Sequence, residues 1–390
     1  MITFEKAFQT AMALVPIMDC ENVSLHDALG RTLSRDVVSD MDMPPFDKSA
    51  MDGFACRRAD LDEALHVLET IPAGSVPQGT VSRLTCSRIM TGAMIPDGAD
   101  CVIKFEDTET LDDGTIRFTA GRTENNICPC GEDIHRGETL LKSGELIKPE
   151  QIAVLAAAGC SRPEVFIRPR AGIIATGDEL VEPERVPDRA QIRDSNSFML
   201  DAQVRMAGAV ATNYGVVTDE KAGLQAAVQK AMQENDLILL SGGVSAGDFD
   251  LVPDVLKSSG FELLFDQVAI KPGKPMTFGR AGQKFCFGLP GNPVSVFLMF
   301  NLLVKPFIFK MMGRVERLLS FPLPLGEGIS RNKDDREAWI PVKIRDDLIF
   351  PVDYHGSAHI NMACRIDGFV SIPIGVKSMA KGDIAYVRQV

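Results

Sequence analysis

At 390 residues, with 45% apolar and 24% charged side chains, the chain is too long for one simple core, and about two to four domains are expected. A net charge of −12, from 41 basic and 53 acidic side chains, with no cluster of Lys and Arg, excludes the basic footprint that nucleic-acid binding needs. Nine cysteines, scattered from Cys20 to Cys364 without paired spacings, read as reduced cytosolic thiols and not as a disulfide framework.

The opening "MITFEKAFQTAMALVP" carries acidic Glu5 and lacks a basic-then-apolar leader pattern. Phe4, Ala7, Phe8, Ala11 and Met12 fall at helical spacing, and residues 1 to about 35 are expected to be helical. From Val37 to Gly137, β-like runs ("HVLETI", "SRIMTG", "CVIKFE", "TIRFTA") alternate with Gly, Pro and Asp turns, which predicts a small inserted β-rich domain. "KPEQIAVLAAAGC" then reads as a helix opened by Pro149 and closed by Gly159.

Next the rhythm becomes βα. "AGIIAT", "AVATNYGVV", "DLILLS" and "KFCFGL" are strands, and the segments between and after them are helices. This alternation implies a doubly wound, mainly parallel sheet, whose ligands bind at the carboxyl ends of the strands. The apolar run "VSVFLMFNLLVKPFIF" is interrupted by Lys305 and Pro306 and is shorter than the about 20 residues of a membrane span, so a buried helix is expected. Beyond Met312, "AWIPVKI", "DLIFPV", "GFVSIP" and "DIAYVRQV" predict a small terminal barrel or sandwich.

Four motifs sit at strand ends of the expected sheet. In "LILLSGGVSAGDFD", Gly242 and Gly243 let backbone approach a ligand, Ser245 can donate, and Asp248 and Asp250 suit a divalent cation; an ordinary βα turn also fits. "IATGDEL" places Glu179 just past the sheet edge, where it could hold a metal or merely begin a loop. In "IKPGKPMTFG", prolines stiffen a loop carrying Lys271 and Lys274, which favours contact with an anion. "GLPGNPVSVF" ends a strand and starts a helix at Asn292 and Pro293, with Ser295 in the first turn; a helix start is an anion site, though capping alone gives the same pattern.

In the inserted domain, "PPFDKSAMDGFA" holds Asp52 and "IMTGAMIPDGADCV" holds Thr91; by themselves these are turns or presenting loops equally well. "NNICPCGEDIHRG" packs two cysteines and His135 together, but C-x-C is not a common zinc spacing, and Pro129 between the thiols disfavours a small disulfide ring.

These motifs, together with "GEDIHRGETLL" and "QIRDSN", occur in the order found in the molybdopterin molybdenumtransferases, the MoeA family, to which gephyrin's E domain also belongs. The resemblance covers residues 1 to about 375 and is weakest in the last 75. It implies a multidomain α/β protein: a helical linking domain (1–36 and 138–165), a β-rich inserted domain (37–137), a molybdopterin-binding-like α/β domain (166–314) and a C-terminal small β-barrel (315–390).

It further implies a cytoplasmic homodimer that inserts molybdate into adenylylated molybdopterin with release of AMP and help from Mg²⁺. Contact with the molybdopterin adenylyltransferase is expected as well, and neither a nucleic acid nor a membrane is. Carried over by motif, Asp52, Thr91, Asp133, Glu179 and Asp250 take catalytic positions, and Glu179, Asp248 and Asp250 the metal. Gly242, Gly243, Ser245, Lys271, Lys274, Pro290, Asn292, Pro293, Ser295, Arg336 and Ser357 take substrate-binding ones. In the homodimer that the resemblance implies, the set from the β-rich domain would approach the sheet edge of the partner subunit. A non-catalytic pterin carrier and a tungstate-inserting relative remain as alternatives.

Three departures bear on substrate handling. Cys128-Pro129-Cys130 stands where the family usually carries a basic residue, Pro341 replaces the second arginine of an arginine-aromatic-arginine pattern begun by Arg336, and Ala358 stands where glycine is common.

Overall fold

Thr3 accepts the Lys6 N–H at 3.2 Å and starts helix α1, Phe4–Met12, whose Ala7 and Ala11 are buried. Helical structure does not continue to residue 35 as expected. Cys20–Asn22 is instead a short strand paired antiparallel with Glu164–Phe166, and only Leu25–Ala28 forms another turn of helix. The computed structural model describes residues 1–244, 251–314, 320–353, 356 and 358–389. It divides into two units, one of residues 1–35, 143–148 and 164–390, the other of residues 36–142 and 149–163.

The second unit is the inserted one. Its sheet comprises β1 (Gly53–Cys56), β2 (Ala64–Ile71), β3 (Thr85–Ile89), β4 (Cys101–Lys104), β5 (Thr108–Thr110) and β6 (Ile116–Phe118), in the order β4-β1-β3-β2-β6-β5. Only β2 and β3 are parallel; every other pair is antiparallel. Phe54, Leu65, Ile103 and Ile116 fill one cluster, and Ile71, Ile89 and Val102 another. At one register Cys56 faces Cys101 on one side and Cys86 on the other, and all three thiols are fully buried. Helix α2, Pro149–Ala157, opens on its proline as read, and Gly159 follows it at φ +72°.

The first unit holds the α/β sheet: β7 (Arg170–Thr176), β8 (Val210–Val217), β9 (Leu237–Ser241), β10 (Glu262–Gln267), β11 (Pro275–Ala281) and β12 (Lys284–Leu289), in the order β8-β7-β9-β12-β11-β10. The first four are parallel, and β11 and β10 are antiparallel, so the sheet is mixed. Helices α3 (Asn196–Met206), α4 (Lys221–Glu234) and α5 (Val252–Ser258) alternate with the strands. β10 and β11 go beyond the expected strands: "IKPGKPMTFG" reads as a loop by its prolines and lysines, yet Met276 and Phe278 of β11 are wholly buried.

The apolar run beyond Asn292 is helix α6, Pro293–Met311, with a π-helical turn at Phe300–Val304. It is long and apolar enough to cross a membrane, yet 78% of its apolar window is buried. Phe307 meets the rings of Phe278, Phe285 and Phe287 from the sheet at 5.1–5.8 Å, so α6 is a core helix.

The terminal strands are β13 (Ser320–Pro324), β14 (Glu337–Arg345), β15 (Leu348–Pro351), β16 (Gly368–Ile372) and β17 (Ile384–Gln389). They run β14-β16-β17-β13, with β15 paired to β14, and Ile270–Lys271 joins β14 in parallel. A bridge between Leu325 and Ile349 brings the far edge back to β15. The core here is Leu325, Val342, Ile349, Val370 and Val387.

Candidate functional site

Strands β7, β9 and β12 run parallel and end level, with Ala175 opposite Ser241 and Ser241 opposite Leu289. Helices α3 and α6 start at the same edge. Together these ends line a cleft of about 470 Å³ that includes Thr176, Glu179, Ser241, Gly242, Asn292 and Pro293. This is where a doubly wound sheet holds its ligand.

The cleft is tied together by Asn196, the first residue of α3. Its Nδ2 donates to Ser241 Oγ at 2.9 Å and to the Gly291 carbonyl at 2.7 Å, joining α3, the end of β9 and the turn before α6. Asp194, 3% exposed, accepts the Ser197 N–H at 3.1 Å and also the Ser197 hydroxyl, which fixes the first turn of α3. On the other side, Thr176 Oγ1 donates to Asp219 at 2.5 Å, and the Asp219 N–H donates to Asp178 at 3.0 Å. These bonds anchor the chain just before Glu179, which is exposed at the cleft. A small parallel pairing of Leu180–Val181 with Ile192–Arg193 forms one wall.

Gly242 must be glycine on two counts. Its φ is +97°, and a Cβ would lie 2.3 Å from the Thr176 carbonyl oxygen. Arg193 is the only cation lining the cleft among the described residues, and its Nε donates to the Arg185 carbonyl at 3.0 Å. Neither Arg193 nor Asn196 was singled out from sequence. Ser, Asn and Asp at residues 194–197 are the residue types of a helix start, and that capping signal masks their position on the cleft.

The expected substrate-binding residues divide. Gly242, Asn292 and Pro293 line the cleft, and Gly243 (φ +60°) adjoins it. Ser295, 2% exposed, lies inside the first turn of α6, and Pro290 is buried just before it. Lys271 and Lys274 are exposed and do not line this cleft. The pairing of Ile270–Lys271 with β14 instead sets Lys271 opposite Ala338; Arg336, the residue before β14, has its Nε 3.7 Å from Asp335. Ser245, Asp248, Asp250 and Ser357 lie outside the described residues. Among the described residues no three His, Cys, Asp or Glu side chains gather to hold a metal. Glu179 supplies one hard carboxylate donor of the kind Mg²⁺ takes.

In the inserted unit, Asp52 and Thr91 do meet. Thr91 donates its N–H at 2.7 Å and its hydroxyl at 2.8 Å to Asp52 Oδ1. These two bonds, with a smaller contribution from the Arg88 charge, hold the Asp52 carboxyl below its usual value of 3.8. Asp133 is exposed, and its N–H donates to the Met43 carbonyl at 3.0 Å. All nine cysteines are free thiols, and Cys130 donates its N–H to Asp47 at 2.7 Å.

Residues 2–159 match the model of the MoeA N-terminal region (domain I and II), and residues 172–310 that of a probable molybdopterin binding domain. A curated molybdopterin molybdenumtransferase of Staphylococcus aureus is 39% identical over 324 residues, 81% of this chain and 77% of that one. The chain belongs to the molybdopterin molybdenumtransferase family. A family member from Staphylococcus epidermidis is 40% identical over 300 residues, 75% of this chain and 71% of that one. The crystal structure of a molybdopterin biosynthesis MoeA protein from Pyrococcus horikosii superposes with a TM-score of 0.85 at 32% identity, covering 100% of this chain and 98% of that one. The cleft therefore lies on a molybdopterin-binding-like domain of a transferase family in molybdenum cofactor biosynthesis.

Proposed function

We propose that this chain inserts molybdate into the dithiolene of adenylylated molybdopterin, hydrolysing the adenylate and releasing AMP. The observation that carries the reading is the cleft itself. It joins strand ends, two helix starts and an exposed carboxylate within the segment matched as a probable molybdopterin binding domain. The start of α6 at Asn292 and Pro293, the positive end of the helix dipole, takes an anionic phosphate. Gly242 lets the ligand approach the backbone, and Asn196 keeps the three walls at fixed spacing.

Mg²⁺ belongs to the same proposal, with Glu179 and, outside the described residues, Asp248 and Asp250 as its ligands. Bound there, it supplies charge neutralisation at the pyrophosphate and polarisation of water. Lys271, Lys274 and Arg336 hold oxyanion by charge, and Asp52, clasped by Thr91, supplies a fixed carboxylate. A four-domain homodimer with a C-terminal barrel, a cytoplasmic location and contact with the molybdopterin adenylyltransferase complete the reading.

The test is AMP release by the purified protein given adenylylated molybdopterin, molybdate and Mg²⁺. Release that depends on molybdate is the expected result. Tight pterin binding without AMP would make the protein a carrier, and release that depends on tungstate in preference would reassign the oxyanion.

A further inference from the structure

The terminal sheet has a cavity of its own, about 370 Å³, that shares no lining residue with the cleft. Its centre is the β14–β15 hairpin. Arg345 pairs with Leu348 across a two-residue turn, Asp346 and Asp347, both at positive φ (49° and 58°). Two rungs further in, Lys343 pairs directly with Phe350, and Arg345, two residues along, shares the face of Lys343. Arg365 joins them from the end of the 3₁₀ segment Ile360–Arg365. Two guanidinium groups and an ammonium thus line one cavity with one aromatic ring.

The ring is held in place. A Cβ on Gly326 would fall 2.4 Å from Phe350 Cζ, so the tip of the ring occupies space that only glycine leaves. Pro351 and Val352 extend the apolar lining. Two carboxylates, Glu327 and Asp353, also line the cavity, which leaves three positive against two negative groups in a chain whose net charge is −12. Among the described residues none of these five charged side chains forms a hydrogen bond or an ion pair. A solvated charged strand face gives neither concavity nor an anchored ring.

We propose that this cavity binds a phosphate monoester bearing a flat apolar group. Guanidinium forks match phosphate oxygens two at a time, the anionic headgroup is drawn to the net positive lining, and Phe350 receives the flat group. The volume lies within the roughly 300–1,000 Å³ range of small-molecule sites. The site goes beyond the molybdate reaction and does not depend on it.

The full-length protein is titrated calorimetrically with phenyl phosphate, inorganic phosphate, benzoate and phenol. Phenyl phosphate should bind at least tenfold more tightly than the other three. Arg345→Gln and Arg365→Gln should each weaken it about tenfold while molybdate-dependent AMP release is unchanged. Phe350→Leu should remove the advantage over inorganic phosphate, and it replaces an arginine variant that melts early. Equal binding of inorganic phosphate and phenyl phosphate means an adventitious ion only, and equal binding of benzoate overturns the phosphate assignment. Failure of phenyl phosphate to bind, or binding indifferent to all three variants, overturns the site.

Discussion

Thr91 grips one oxygen of Asp52 twice, through its backbone N–H and its hydroxyl, although the two residues are 39 positions apart. Removing the hydroxyl with Thr91→Val should leave the backbone bond and raise the Asp52 pKa towards 3.8. The sign follows from the depressed value. The pairing stabilises the fold above the unfolded pKa and is lost as pH falls through the folded one, so the variant should lose it at a higher pH. A carbon-detected NMR titration of the Asp52 carboxyl reads this directly; an unmoved pKa would mean that the hydroxyl does not hold the carboxylate.

Asn196→Ala removes both bonds that join α3 to β9 and the turn before α6. It should cost about 1–3 kcal/mol of stability, since Ser241 and Gly291 lose their partner. It should also raise KM for the pterin substrate more than it lowers kcat. Urea unfolding and AMP-release kinetics check the two parts separately.

Two glycines make an opposed pair. Gly242→Ala places a methyl against the Thr176 carbonyl at positive φ and should destabilise by about 2–3 kcal/mol. Gly223→Ala, inside α4 with nothing nearer than 3.8 Å, should stabilise by about 0.5–1 kcal/mol. Thermal melts of both proteins, compared with the parent, test the contrast.

Glu179→Gln keeps the shape of the side chain and removes its charge. AMP release should fall at least tenfold and need more Mg²⁺, with pterin affinity within about twofold of the parent. Unaltered Mg²⁺ dependence would take Glu179 out of the metal proposal.

Cys130→Arg restores the positive charge usual before the "GED" stretch and should tighten oxyanion or pterin binding without abolishing it. An unchanged affinity in equilibrium titration would mark the loop as a spacer.

The parallel strands were legible because their signal is local. "KFCFGL" reads as β12 residue for residue, and Leu237–Ser241 is an apolar run wherever it is placed. The N-terminal segment was not legible, since Cys20–Asn22 becomes a strand only through Glu164–Phe166, more than 140 positions away. A local pattern carries no information about such a partner. β11 failed for a different reason. Pro275 at its first position and the two lysines before it resemble loop chemistry, while burial of Met276 and Phe278 decides the matter. On the cleft, Gly242 and Asn292 were readable from strand-end motifs. Asn196 was not, because asparagine beside a helix start signals capping before it signals a bridge between three elements.

The nine thiols form a built-in ruler of local opening. Cys56, Cys86 and Cys101 lie inside the inserted sheet, where burial pushes Cys86 up to about 12, and Cys286 lies inside the α/β sheet; Cys20, Cys130 and Cys364 face solvent. An alkylating reagent in native buffer therefore marks the outer three at once. It reaches the inner ones only as each sheet breathes, so the labelling rates of Cys86 and Cys286 clock the two units independently within one molecule.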